Sequence, residues 1–139
     1  MRFLTIGYGG RTPEELVGQL RAHGVRAVAD VRIRPERASL GAFTKARSPD
    51  RGIERLLSDS GITYHHILEL GNLFLDRHDW RERYRQLLNE AGELLVSRLD
   101  ELETPFCLLC AERRVQDCHR GIIADDLVSR RGWSVTHIA

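Results

Sequence analysis

A chain of 139 residues with 42% apolar and 29% charged residues has the makeup of one globular domain, spanning 1–139. Its net charge of +1 excludes a global field that would draw it to nucleic acid or an anionic membrane, and no apolar run approaches membrane-spanning length. Three cysteines, an odd number, behind a first strand too short to serve as an export leader exclude a disulfide framework and lead to the expectation of a cytoplasmic, reducing setting.

Arg2 to Ile6 reads as a short strand running into the turn Gly7-Tyr8-Gly9-Gly10. Thr12 suits an N-cap, Pro13 the first helical position, and Glu14 and Glu15 the positive helix end. Leu16, Val17 and Leu20 supply the apolar stripe, and Gly24 ends the helix. Val25 to Val31 is a continuous run suited to a strand buried on both faces. Arg32 to Arg47 has no clear period and reads as a loop. Ser48-Pro49-Asp50 opens a second helix, with Ile53, Leu56 and Leu57 inward and Gly61 at its end. Ile62 to Ile67 is the third strand, and Leu68 to His78 a loop carrying Glu69-Leu70-Gly71.

From Asp79 to Leu102 the spacing of Trp80, Tyr84, Leu87, Leu88, Ala91, Leu94, Leu95 and Leu99 predicts the longest helix. Pro105 to Cys110 is the fourth strand. A charged loop follows, and then a helix over Cys118 to Arg131 with Cys118, His119 and Arg120 in its first turn. Gly132 ends it, and Trp133 to Ile138 is the fifth strand. Strict alternation of strand and helix predicts an α/β fold: a three-layer, Rossmann-like α/β/α domain on a mainly parallel five-stranded sheet. If strand one lies beside strand four, with strands two and three on one side and five on the other, the switch point falls between one and four.

In a parallel sheet the residues after each strand share one edge. Here they are Gly7 and Tyr8, Asp30 and Arg32, Glu69, Cys110 and Glu112, then Cys118, His119 and Arg120. These are the residue types of a polar active site.

The same motifs resemble a known family, domain of unknown function 488. The resemblance rests on the Gly7-Tyr8-Gly9 turn, a strand ending Asp30-Val31-Arg32, a basic loop with Phe43, the turn Glu69-Leu70-Gly71, the strand Leu108 to Glu112, and Cys118-His119-Arg120. It implies an α/β fold and names no reaction. Tyr8 stands where many members carry His.

The sharpest signal is Cys118-His119-Arg120. A cysteine at a helix start has its thiolate favoured by the dipole and by neighbouring cations, and Arg120 can fork onto a carboxylate or phosphate. Asp30 is expected to accept from a substrate or to orient His119, and Glu69 and Glu112 are candidates for proton transfer. Cys110 with Cys118 and His119 offers three thiol and imidazole ligands, with His65, His66 or His137 as a fourth. The Cys-x7-Cys-His spacing is not a standard zinc pattern, so no metal is assigned. The same two cysteines form a disulfide only if the fold brings them close. Gly7 to Gly10 lacks a dinucleotide fingerprint, no cofactor is named, and the glycines read as places of close backbone approach.

The leading expectation is therefore a small enzyme acting on a nucleotide, nucleobase or other phosphate-bearing molecule. Cys118, His119, Asp30 and Glu69 are its catalytic candidates, and Gly7, Tyr8, Arg32, Cys110, Glu112 and Arg120 its binding candidates. A nucleic-acid or nucleotide-binding module using the basic 32–55 loop is the second reading. A thiol redox or sulfur-transfer protein is the third.

Overall fold

The apolar runs become five parallel strands in a computed structural model that describes residues 1–139. They are β1 (Arg2–Gly7), β2 (Ala27–Asp30), β3 (Thr63–His66), β4 (Phe106–Cys110) and β5 (Ser134–His137). The sheet order is β3-β2-β4-β1-β5, and every pairing is parallel. The chain starts at β1, leaves an empty slot, builds outward through β2 and β3, and returns to fill the slot with β4. The switch point thus lies between β1 and β4, where Gly7 is in register with Cys110.

Alternation along the central strands feeds two cores. Leu4, Ile6, Val28, Cys107 and Leu109 face α1 (Pro13–Ala22) and α2 (Gly52–Ser58). Phe3, Ala27, Ala29, Phe106, Leu108 and Cys110 face α3 (Trp80–Val96) and α4 (Arg120–Arg131). Both faces are covered, which is why these strands read as unbroken apolar runs. No helix is long and apolar enough to cross a membrane.

Thr12 caps α1 as expected, and the structure adds a reciprocal bond from Glu15. Three helix ends differ from the sequence reading, the first at α2, which begins at Gly52 and not at Ser48-Pro49-Asp50. The long helix stops at Val96 and tightens into a 3-10 turn over Ser97–Glu101, which still buries Leu99. The last helix begins at Arg120, not Cys118. A 3-10 turn over Val115–Asp117 delivers Cys118 in extended conformation (φ −133°, ψ 147°), and His119 becomes the N-cap.

The turn after β1 presses against the loop after β4. Tyr8 N–H donates to the Cys110 carbonyl at 3.0 Å and Gly9 N–H to the Ala111 carbonyl at 2.9 Å. A Cβ on Gly7 would stand 1.7 Å from the Glu112 carbonyl oxygen, so only glycine allows this approach.

Candidate active site

The carboxyl ends of β1, β2 and β4 enclose a cavity of about 400 Å³. Tyr8, Arg32, Cys110 and His119 lie in its wall, with Arg34, Arg37, Asn72 and Glu112 among the residues around them. Asn72 is only 3% exposed; its Oδ1 accepts from Phe74 N–H at 2.9 Å, while its Nδ2 has no intramolecular acceptor.

Two sulfurs meet at this edge. Cys110 ends β4, Cys118 precedes α4, and their Sγ atoms are in contact. Their Cα atoms are 7.5 Å apart. Cys107, one strand position from Leu108, faces the other core, and burial raises its thiol far out of the reactive range.

Arg120 is the charge that organises the pair. It is 1% exposed and makes no contact with a carboxylate. Its Nη1 donates to Cys110 Sγ at 2.9 Å and to the Glu112 carbonyl at 2.7 Å. Its Nη2 donates to the Arg113 carbonyl at 3.1 Å, and its Nε to Thr5 Oγ1 at 3.4 Å. Burial pushes its pKa down to about 10, with Cys107 and Glu112 resisting and Arg11 adding to the fall. A buried cation that no carboxylate touches favours a thiolate at Cys110 as its counter-charge, while the Glu112 carboxylate, 3.6 Å from the same sulfur, opposes it. Cys110, Cys118 and the Glu112 carboxylate also lie close enough to share a metal ion. A cation there would face the Arg120 guanidinium, which opposes it.

His119 sits on the other side of the pair. Its Nε2 donates to the Val31 carbonyl at 2.8 Å, which leaves Nδ1 bare, 3.6 Å from Cys118 Sγ. The Cys118 sulfur also accepts from Arg120 N–H at 3.4 Å, the first free donor of α4. The ring is 6% exposed and lies edge-on to Tyr84. Burial lowers its pKa from 6.5 to about 4, partly offset by backbone partners, so the imidazole is neutral near pH 7.

That has a measurable consequence. Because the folded pKa lies below the unfolded one, this contribution to stability is fully present above pH 6.5 and is lost as pH falls through about 4. A His119→Gln variant lacks the titrating group. Urea unfolding from pH 7 to pH 4 should show the wild type losing about 3 kcal/mol more than the variant. Parallel losses in the two proteins would contradict a buried neutral imidazole.

Asp30 and Arg32 form a closed unit. Asp30 is fully buried; Arg32 Nε donates to its Oδ1 at 2.9 Å and Nη2 to its Oδ2 at 2.6 Å. The Tyr64 hydroxyl donates to the same carboxylate. Arg32 Nη1 donates to the Phe43 carbonyl at 2.7 Å and to Tyr8 Oη at 3.2 Å, and the guanidinium lies over the Tyr8 ring. Burial disfavours the Arg32 charge, but the hydrogen bonds and charge of Asp30, and then Tyr8, raise its pKa overall. Asp30 and Arg32 thus shape the wall by neutralising each other, and neither is free for a substrate. Other charges of the basic loop are also paired, Lys45 with Glu54 and Arg55 with Asp59. Arg34 and Arg37 have no acidic partner and face the cavity.

Glu69 stands apart. Its carboxylate pairs with Arg98 at 3.0 Å, and it does not line the cavity. Glu112 does, with Oε2 at 3.6 Å from Cys110 Sγ. His66 donates from Nε2 to the Arg32 carbonyl at 2.9 Å, bracing the loop from the edge strand.

Several contributors were not among the site candidates of the sequence reading: Tyr64, Asn72 and Thr5. Thr5 carries the one signal available, as the only polar residue of an otherwise apolar strand interior. Its partner, His137, lies directly across in register on β5.

Comparison with known proteins places this geometry in a family. The family model described as domain of unknown function DUF488 matches residues 12–127, from the start of α1 to the last turns of α4. No curated protein and no solved structure matches.

Proposed function

The chain belongs to the DUF488 family, and from the site built on this fold we propose that it is a small cysteine-dependent enzyme acting on a phosphate-bearing molecule such as a nucleotide. The observation that carries this reading is Cys110 Sγ on the cavity floor, 2.9 Å from a buried guanidinium without a carboxylate. Arg120 holds that sulfur as the thiolate, the nucleophilic form. Above it, Arg34, Arg37 and Asn72 Nδ2 supply donors for an anion, and Leu73 and Leu75 an apolar wall for the rest of the ligand.

A cavity of about 400 Å³ suits a mononucleotide-sized ligand. In this reading anion binding belongs to Arg34 and Arg37 and not to Arg32. The non-catalytic binding module is less well supported, because Arg32, Lys45 and Arg55 of the 32–55 segment are each paired with a carboxylate.

The contact between the two sulfurs favours a more specific version, thiol redox or sulfur-transfer chemistry. The neutral Nδ1 of His119 accepts the Cys118 proton, and the two thiols give up two electrons and two protons to a bound substrate that carries a disulfide, whose S–S bond breaks to two thiols as the Cys110–Cys118 bond forms. In the expected cytoplasmic setting the resting form is the dithiol.

A thermal-shift and equilibrium-binding panel of mononucleotides, inorganic phosphate and pyrophosphate tests the ligand class. At least one should raise the melting temperature, and Arg34→Gln with Arg37→Gln should weaken its binding about ten-fold at low salt. If no phosphate compound binds, or the double variant binds as the wild type does, the ligand class is wrong.

A further inference from the structure

Cys110 and Cys118 open to different chambers. Cys110, with His119, floors the cavity described above. Cys118 opens into a second cavity of about 320 Å³, between α3, α4 and the end of β5. Trp80, Arg81, Arg85, Asp125 and His137 are in its walls. The Arg81 guanidinium lies over the Trp80 ring, 4.4 Å from its centroid, and donates to the Gln116 carbonyl. Neither Arg81 nor Arg85 has an acidic partner.

His137 is tied to the dithiol through the sheet. Arg120 Nε donates to Thr5 Oγ1, and the Thr5 hydroxyl shares a hydrogen bond with His137 Nδ1 at 2.8 Å. The second chamber thus combines an aromatic wall, two unpaired guanidiniums, an imidazole, one carboxylate and one reactive sulfur.

We infer that this second cavity admits a small thiol carrying carboxylate groups, which regenerates the dithiol by attacking Cys118. The inference rests on the redox version of the proposed function and adds its reductive half. The incoming thiolate forms a bond to Cys118 Sγ, the Cys118–Cys110 bond breaks, and Cys110 leaves as a thiolate beside Arg120. A second thiol attacks the mixed disulfide, releases the small disulfide, and returns Cys118 as a thiol. Two small thiols become one disulfide and deliver two electrons and two protons to the pair. Arg120 sets the direction: its guanidinium touches Cys110 Sγ, making Cys110 the better leaving group and Cys118 the attacked sulfur. Arg81 and Arg85 select for carboxylates.

The test uses the whole chain oxidised with diamide, with loss of two hydrogens across Cys110 and Cys118 verified by mass. It is then reduced with glutathione, with neutral mercaptoethanol, or with cationic cysteamine, each rate divided by that thiol's rate on hydroxyethyl disulfide. Glutathione is expected to exceed cysteamine about ten-fold at low salt, and Arg81→Gln with Arg85→Gln to remove most of that preference. Arg47→Gln with Arg51→Gln, at two arginines that line neither cavity, should leave it unchanged. Glutathione disulfide should load Cys118 in a Cys110→Ser variant.

Equal normalised rates, a preference that survives loss of Arg81 and Arg85, or equal loading of Cys110 in a Cys118→Ser variant would overturn the inference. Failure of phosphate ligands in the first cavity overturns the ligand class and leaves this inference standing. Failure of diamide to join the two cysteines overturns the redox version and this inference together. A joined pair without thiol preference overturns this inference alone.

Discussion

Replacing Arg120 by Met is expected to slow alkylation of Cys110 by iodoacetamide at pH 7 by about 100-fold, with the protein still folded. The guanidinium is 2.9 Å from the sulfur, and both residues are about 1% exposed. At a few ångströms and an effective dielectric of about 20, a unit charge pair gains about 4 kcal/mol, and residual screening brings this to about 3 kcal/mol, or two decades in thiolate population. Survival of the fold follows from the same partners. No carboxylate is left behind, so the loss is confined to donors for Thr5 Oγ1 and the carbonyls of Glu112 and Arg113, at a cost of about 1–3 kcal/mol. Arg120→Lys keeps the charge and should retain most of the reactivity, which separates charge from packing. A Cys110→Ser control assigns the alkylated sulfur. Wild-type alkylation in Arg120→Met would remove the basis for a thiolate at Cys110.

The second large effect concerns Asp30. Asp30→Asn is expected to destabilise the protein by about 3–5 kcal/mol, a fall in melting temperature of roughly 10–15 °C. The carboxylate is fully buried and accepts from Arg32 Nε and Nη2, the Arg32 backbone N–H and the Tyr64 hydroxyl. An amide cannot offset the Arg32 charge, and it points an N–H₂ at groups that are themselves donors. Replacing both partners, Asp30→Leu with Arg32→Met, removes the uncompensated charge and should recover much of the loss. Urea unfolding of the three proteins decides it. A single variant as stable as the wild type would mean that Asp30 serves a ligand and not the wall.

Periodicity and punctuation carried most of the architecture. The alternation of strands and helices, the N-cap at Thr12, the apolar stripe from Tyr84 to Leu99 and the terminator Gly132 are local signals of regular backbone geometry. The polar strand ends were legible for a related reason: in a parallel sheet, chain direction alone puts Tyr8, Arg32, Cys110 and His119 on one edge. The start of α4 was less legible. Whether a charged loop enters its helix at Cys118 or two residues later depends on the 3-10 turn at Val115–Asp117, and that loop has no capping side chain to mark the boundary.

What the amino-acid order determined by itself is the fold and the candidate set, because both follow from short-range geometry and chain direction. What only the tertiary structure decided is how those candidates are divided. Asp30 and Arg32 look like a site pair and instead neutralise each other, because Tyr64 and the Phe43 carbonyl close around them. Glu69 sits one turn past a strand end, yet pairs with Arg98 outside the cavity. Arg120 lacks a carboxylate and so belongs to Cys110, and Cys110 and Cys118 face separate chambers although their sulfurs touch. Pairing among charges and thiols is settled by distances across the sheet, between residues as far apart as Thr5 and Arg120. No local pattern encodes those distances.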